Sequence, residues 1–123
     1  MTKTHLVPLK LVTVSIDSVN AAQLAQWWAD VLGRSVQAFP EAGFWNIAAE
    51  TAGEPHIGFC QVEDPTPGKN RLHIDFFTPD RTAAVAGLVE AGAKVVYEGD
   101  FQGLTWTTLA DPDGNVFDVT DSV

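Results

Sequence analysis

The chain has 123 residues, a size that suits one domain with a single hydrophobic core. Its net charge is −9 with only seven lysines and arginines, which excludes a general nucleic-acid binder, since such proteins need a basic surface. No apolar run approaches the roughly 20 residues that a membrane-spanning helix requires. The N-terminal segment lacks the apolar core of a signal peptide, and the single cysteine, Cys60, cannot form an internal disulfide. These features predict a cytoplasmic protein without a membrane partner.

The first predicted strand, residues 9–17, has two distinct faces because apolar side chains recur at every second position. One face is apolar and is predicted to meet a helix: Val12, Val14 and Ile16. The other is mixed and is predicted to face a cavity or solvent: Leu11, Thr13, Ser15 and Asp17.

A helix is predicted over residues 21–32, because apolar residues follow the spacing of an amphipathic helix. Its stripe consists of Leu24, Trp27, Trp28, Val31 and Leu32. The side chain of Asn20 is predicted to cap the first turn, and Gly33 is predicted to end the helix. Three short strands are predicted next, at residues 35–39, 43–49 and 56–62.

The same order of elements recurs after a proline-rich linker, Asp64 to Lys69. The strand at 70–77 is predicted to be buried, with Leu72, Ile74 and Phe76 alternating with His73, Asp75 and Phe77. A helix over 81–91, capped by Thr78 or Asp80 and ended by Gly92, should precede strands at 94–98, 105–110 and 116–120. The glycine-rich segment 98–104 is a candidate flap, and DPDGN between the last two strands predicts a tight turn.

An offset of 60 residues aligns the two halves, since it places Asn20 on Asp80 and Thr13 on His73. We therefore predict two copies of a βαβββ unit with the binding site between them. The single domain comprises module one at about 9–62, a linker at 63–69 and module two at about 70–120.

Four segments carry a family resemblance: QLAQWWADVLG, RLHIDF, EAGAKVV and LADPDGNVFDV. Together with the repeated unit they resemble the vicinal oxygen chelate superfamily, which includes glyoxalase I, extradiol dioxygenases and the bleomycin and fosfomycin resistance proteins. The resemblance covers nearly all of residues 9–120 and is nearest to the small glyoxalase-like branch. It implies an α+β fold in which two βαβββ modules form a half-open mixed β-barrel with the helices outside. It also implies a homodimer, often with a cavity near the subunit interface.

Metal-dependent members of this superfamily place four ligands on strands that face the cavity. The resemblance maps these positions onto Thr13, residues 57–59, His73 and Asp118, of which only the last two are normal ligands. They would suit a divalent ion such as Ni, Mn, Fe or Zn. Asp75 shares a strand face with His73 and could complete an alternative cluster. We nevertheless expect a hydrogen-bonded pair of His73 and Asp118 without a metal or other cofactor, because two ligands rarely hold a metal tightly.

Polar side chains of the mixed faces and nearby aromatic residues are predicted to line a ligand pocket. The candidates are Thr13, Ser15, Phe44, Trp45, His73, Asp75, Phe101, Trp106 and Asp118. Alternation along a strand sends one of Phe44 and Trp45 inward and the other outward, and the sequence leaves open which. Most aromatic side chains of a domain this size pack in its core.

Two functional hypotheses follow. The first is a metal-independent, dimeric binding protein that sequesters an aromatic or cationic small molecule, such as an antibiotic, as resistance proteins do. The alternative is a metal-dependent lyase, isomerase or dioxygenase that acts on a substrate with vicinal oxygens. No catalytic residue is assigned under either hypothesis.

Overall fold

The computed structural model of the chain describes residues 11–68, 73–101 and 103–121. The chain divides into two compact units, residues 1–63 and 64–123, which we call module one and module two. Module one contains β1 (Thr13–Ser18), α1 (Ala21–Leu32), β2 (Val36–Phe39), a short 3₁₀ helix (Pro40–Ala42), β3 (Phe44–Ile47) and β4 (His56–Gln61). Module two contains β5 (Ile74–Thr78), α2 (Arg81–Glu90), β6 (Lys94–Phe101), β7 (Leu104–Ala110) and β8 (Val116–Asp121). Within the described ranges, neither helix has the length and apolar character to cross a membrane.

Each module is a four-stranded mixed sheet with one helix. The strand order is β1-β4-β3-β2 in module one and β5-β8-β7-β6 in module two. The first pair of each sheet is parallel and the other pairs are antiparallel. Neither sheet closes on itself, because each has two edge strands. The predicted α+β class with two βαβββ modules and open, mixed sheets is confirmed.

The repeat extends to the pairing of individual residues. Val14 pairs with Ile57 in module one, and Ile74 pairs with Phe117 in module two. Both members of the second pair lie 60 residues after those of the first, which is the offset that the sequence predicts.

The core of module one lies between α1 and its sheet. Leu24 and Trp28 of α1 are buried, as are Ile47 of β3 and Phe59 of β4. Burying a side chain of this size contributes about 1.5–3 kcal/mol. The predicted helix bounds and the left-handed Gly33 cap are confirmed, whereas Trp27, Val31 and Leu32 of the predicted stripe are only partly buried.

Asn20 is the N-cap residue of α1, as predicted, but the predicted capping hydrogen bond is wrong, because its side chain makes none. The Gln61 side chain at the end of β4 takes this role instead. Its Oε1 accepts a hydrogen bond from the backbone N–H of Ala21 at 3.0 Å, and its Nε2 donates to the carbonyl of Val19 at 2.6 Å. The amide group of Gln61 thus bonds both to a free N–H of the first helical turn and to a carbonyl of the segment before the helix.

Module two has a thinner helix interface. Phe117 and Val119 of β8 and Leu109 of β7 are buried, and the rings of Phe76 and Phe117 meet edge to face. No residue of α2 is fully buried, and its Val89 is 46% exposed. Polar contacts of Arg81 connect α2 to the module-two sheet.

Arg81 is the first residue of α2 and contacts three strands, since besides Asp121 of β8 and Thr107 of β7 its Nη1 lies 3.4 Å from Oε2 of Glu98 in β6. Its Nε lies 3.1 Å from Oδ2 of Asp121, its Nη1 donates to Oγ1 of Thr107 at 2.7 Å, and its backbone N–H donates to Oδ1 of Asp121. The hydrogen bond to Asp121 raises the pKa of the guanidinium. The side chain of Asp80 caps the helix by accepting from the N–H of Ala83, which confirms one of the two predicted caps.

Several predicted strand bounds differ from the structure. β1 begins at Thr13, so Leu11 and Val12 precede it and are 68% and 57% exposed. β5 begins at Ile74 and is not buried throughout, because its residues alternate between partly buried and exposed. Residues 1–10 and 69–72, which include the starts of both predicted strands, lie outside the described residues. The other strands shift from their predicted ends by one to three residues.

The predicted loop at 98–104 is wrong, since β6 continues to Phe101 and β7 starts at Leu104, opposite it, while a role as a flap stays a prediction. The segment is the end of a hairpin rather than a free loop. The predicted DPDGN turn is confirmed. The carboxylate of Asp111 accepts hydrogen bonds from the backbone N–H groups of Asp113 and Asn115 at 3.0 and 2.9 Å, and Gly114 adopts a φ of 88°.

Candidate functional site

The candidate site lies on one face of the module-two sheet. Thr107 and Glu98 contact Arg81 of α2, so they lie on the helix-covered face. Since neighbouring side chains on a strand point to opposite faces, Thr108 and Tyr97 lie on the other, which we call the open face. Register pairs Tyr97 with Thr108, Thr108 with Asp118, and Asp118 with Asp75. These four residues form one row across all four strands, the polar row.

His73, Asp75 and Asp118 form a cluster in and beside this row. Nδ1 of His73 lies 3.0 Å from Oδ1 of Asp75 and 3.5 Å from Oδ2 of Asp118. The predicted hydrogen-bonded pair of His73 and Asp118 is observed only as a contact, because the hydrogen bond of Nδ1 is made with Asp75. Asp118 is the more enclosed carboxylate, with a side chain 18% exposed against 61% for Asp75.

Thr108 holds Asp118 in place. Its Oγ1 donates a short hydrogen bond to Oδ1 of Asp118, which leaves Oδ2 directed at His73. Sequence analysis missed Thr108. The alternation in LTWTTLA places Thr108 and Trp106 on one face, but the partner of Thr108 depends on the register between β7 and β8.

A groove of about 520 Å³ lies beside the cluster. Its polar lining consists of His73, Thr108 and Asp118, and its other walls are Gly68, Val96, Tyr97, Gly114 and Val116. Val96 and Tyr97, on edge strand β6, are 57% and 60% exposed. None of these lining residues is a lysine or arginine, so the groove combines an acidic floor with largely apolar walls.

The cluster fits a metal ion only in part. Donor atoms of His73, Asp75 and Asp118 lie within 4.8 Å of one another, and one imidazole with two carboxylates suits a divalent ion. The module-one positions that correspond to His73 and Asp118 by the 60-residue offset are Thr13 and Gly58, which supply no usual ligand. Nδ1 of nearby His56 accepts a hydrogen bond from the N–H of Ala49 at 2.8 Å, which fixes this side chain structurally.

The module-one sheet resolves the orientation of Phe44 and Trp45. Trp45 pairs with Phe59 on the face that α1 covers. Phe44 points to the opposite face, where its ring covers Gly58: a Cβ atom there would lie 2.6 Å from Cε1 of Phe44 and 3.1 Å from Oγ of Ser15. Ser15 and Thr13 of β1 lie on this same face of the module-one sheet.

Trp106 is the aromatic candidate of module two that the structure places on the open face, because it lies two residues before Thr108 on β7. Its ring is partly exposed and rests on Gly99 of β6. Phe101 ends β6, but its side chain lies outside what the structure describes. Ligand binding by all nine candidate residues stays a prediction.

A family model described as a glyoxalase-like domain matches residues 13–120. No curated protein sequence matches the chain significantly. Among solved structures, the chain is similar to a glyoxalase/bleomycin resistance protein/dioxygenase family enzyme from Burkholderia phytofirmans PsJN, with a TM-score of 0.75 and 21% identity over 94% of this chain and 100% of that one.

Two further structures share the fold. TnmS3, an antibiotic binding protein from Streptomyces sp. CB03234, has a TM-score of 0.73 and 18% identity over 97% of this chain and 100% of that one. A lactoylglutathione lyase from Agrobacterium tumefaciens has a TM-score of 0.68 and 11% identity over 94% and 96% of the two chains. At these identities the similarity establishes the fold and leaves the activity to be argued from the site.

Proposed function

This chain belongs to the glyoxalase-like domain family, and we propose that it is a small-molecule-binding protein whose ligand occupies the groove of module two without a metal ion. The observation that carries the proposal is the composition of the groove. A carboxylate fixed by Thr108 and an imidazole lie beside apolar and aromatic walls. A few fixed polar groups in a largely apolar concavity are typical of small-molecule sites.

The residue types at the metal-ligand positions support binding rather than metal catalysis. Thr13 and Gly58 replace two of the four ligands that the resemblance implies, and the ring of Phe44 occupies the space over Gly58. TnmS3 shares the fold and binds an antibiotic, which supports a sequestration or resistance role. We further propose that the protein acts in the cytoplasm and is a homodimer. Sedimentation velocity over a range of concentrations would test the dimer.

A ligand screen tests the binding proposal. Chelator-treated protein is titrated with antibiotics and aromatic amines while tryptophan fluorescence is recorded, and hits are mapped by NMR. Binding should survive chelation and weaken about tenfold or more in Asp118→Asn and Thr108→Val, since each removes a group of the groove floor. The matched control is Asp17→Asn, an exposed carboxylate of β1 in module one. Hits that map elsewhere, or that require added metal, would contradict the proposal.

The second candidate function is a metal-dependent lyase, isomerase or dioxygenase, favoured by the donor atoms within 4.8 Å of one another. A metal held by His73, Asp75 and Asp118 would act as a Lewis acid toward neighbouring substrate oxygens. Elemental mass spectrometry of protein purified without chelator tests this candidate. About one Ni, Mn, Fe or Zn ion per chain, lost in His73→Ala but kept in His56→Asn, would support it. Protein that stays metal-free after incubation with these ions would exclude it.

A further inference from the structure

The side chain of Trp106 lies unusually close to the backbone of the neighbouring strand, β6. Its indole ring lies directly on Gly99 of the neighbouring strand, so close that a Cβ atom at position 99 would overlap Cε2 and Cζ2 of the ring. Gly99 itself is buried, whereas Trp106 remains partly exposed. The glycine therefore leaves room for the ring to lie against the backbone of β6 while the side chain stays partly exposed.

Register places this ring next to the polar row. Trp106 pairs with Gly99 on one side and with Thr120 on the other, and these residues lie two positions along their strands from Tyr97, Thr108 and Asp118. Asp118 and Trp106 are thus diagonal neighbours on paired antiparallel strands, about 7–8 Å apart. Tyr97, which lines the groove, precedes Gly99 by two residues on the same strand. The ring therefore lies on the open face one row beyond Tyr97, Thr108 and Asp118, next to the groove but outside the residues that line it.

Module one offers a comparison within the same chain. Phe44 pairs with Cys60, and Trp106 pairs with Thr120, which lies 60 residues after Cys60. Both aromatic side chains lie over a glycine, but Phe44 covers Gly58, whose counterpart in module two is the carboxylate Asp118. The module-two ring lies on β6 instead, so the carboxylate and the aromatic ring are presented side by side. In module one the ring fills the position that the carboxylate has in module two.

We propose that Trp106, which lies over Gly99, is a stacking platform, and that the groove ligand is a planar aromatic compound with a cationic donor at Asp118. This inference rests on the proposed function and assigns the chemical class of its ligand. Asp118 lies about one diagonal step from Trp106. A ligand that contacts both therefore needs a tether of roughly three carbon atoms between its aromatic ring and its cationic donor. A planar ring gains from offset stacking on indole, and an ammonium group gains from a charge-assisted hydrogen bond to the carboxylate.

Three matched probes test the proposal: 3-(1-naphthyl)propylamine, 3-cyclohexylpropylamine and 1-propylnaphthalene. The first has both features, and each of the others lacks one. Binding is followed by calorimetry and by the NMR signal of each indole Nε1–H, using full-length protein. The first probe should bind about tenfold more tightly than either of the others and should shift the Trp106 signal.

Variants separate the platform from the groove. Gly99→Ala adds a methyl group that displaces the ring without touching the groove floor, and Trp106→Ala removes the ring. Both should weaken the naphthyl amine about tenfold and leave the cyclohexyl amine unchanged. Trp45→Phe, on the helix-covered face of module one, is the control and should change neither. Circular dichroism checks that Gly99→Ala remains folded, and Trp106→Phe, which keeps an aromatic ring, should retain most of the affinity.

The outcomes distinguish the two proposals. If Asp118→Asn abolishes binding of a ligand but Trp106→Ala and Gly99→Ala do not weaken it, the platform is wrong and the groove function stands. Equal affinity for the naphthyl and cyclohexyl amines would likewise overturn the platform. If no probe binds at millimolar concentration, the assigned ligand class is wrong. If, in addition, the wider screen yields no ligand in the groove, the proposed function fails too.

Discussion

The ring of Phe44 covers Gly58 so closely that a Cβ atom on the glycine would lie 2.6 Å from Cε1 of the ring. Gly58 is the module-one counterpart of Asp118. The same sheet position is thus a packing contact in one module and a carboxylate in the other. A metal ligand at position 58 would overlap the Phe44 ring where it now lies, so the ring would have to move to accommodate it.

We predict that Gly58→Ala lowers the free energy of unfolding by about 1–3 kcal/mol, because overpacking forces the Phe44 ring or the strand to move. Chemical denaturation followed by fluorescence measures this change. The matched control is Gly87→Ala, in the middle of α2, where an added Cβ meets nothing within 4 Å. That substitution should raise the free energy of unfolding by about 0.5–1 kcal/mol through helix propensity. Equal effects of the two variants would contradict the close packing at Gly58.

Arg81→Met should lower the melting temperature, because α2 loses its links to Asp121 and Thr107 while keeping an aliphatic stem. Arg81→Lys keeps the charge but not the forked set of donors, so its melting temperature should lie between those of the wild type and Arg81→Met. Differential scanning calorimetry at low and high salt measures both, and the Met variant should depend least on salt. Melting temperatures equal to that of the wild type would show that α2 is held by other contacts.

Acid should weaken the contact that Arg34 makes with the β3–β4 connection. The hydrogen bond from Arg34 holds the pKa of Glu54 below its ordinary value. Because the folded-state pKa is the lower one, this contribution is present above the unfolded-state pKa and is lost as pH falls through the folded-state value. Wild-type protein should melt at a higher temperature than Glu54→Gln at pH 7, and this difference should shrink as the pH falls below the ordinary pKa of a glutamate. Melting curves from pH 7 to 3 measure the difference, which should be absent for Glu41→Gln.

The turn before β8 should depend on one carboxylate. Asp111 is 4% exposed and accepts from the backbone N–H groups of Asp113 and Asn115. Asp111→Ala leaves these donors without that partner and should lower the free energy of unfolding by about 1–3 kcal/mol. Since Gly114 and Val116 line the groove, ligand affinity should fall as well. Asp111→Asn retains one acceptor oxygen and should recover much of both, and an Asn variant as unstable as Ala would point to the charge instead.

The helices and their order could be predicted from the sequence because they depend on local patterns. The apolar spacing and Gly33 define α1, and Asp80 defines the start of α2. The Asn20 cap could not be predicted correctly, because its replacement, Gln61, is about 40 residues away in the chain. β6 was predicted too short because Gly99 and Gly103 resemble loop residues, whereas Gly99 accommodates the Trp106 ring within a strand.

The candidate site was predicted in part for the same reason. His73 and Asp75 share a face by simple alternation, and the family resemblance added Asp118. Thr108 required knowledge of which β7 residue pairs with Asp118. Trp45 and Phe44 could not be separated by alternation alone, since the face that α1 covers is set by tertiary packing.

Helix α2 fully buries none of its side chains, and this has a consequence for the lifetime of the protein. Segments with few buried contacts open locally at a lower free-energy cost than the rest of a domain, and proteases cut such openings. A groove ligand that binds only the closed form of module two would reduce the population of the open form. Cleavage within α2 should then be slower in the presence of ligand, so that empty protein is degraded first and occupied protein is spared.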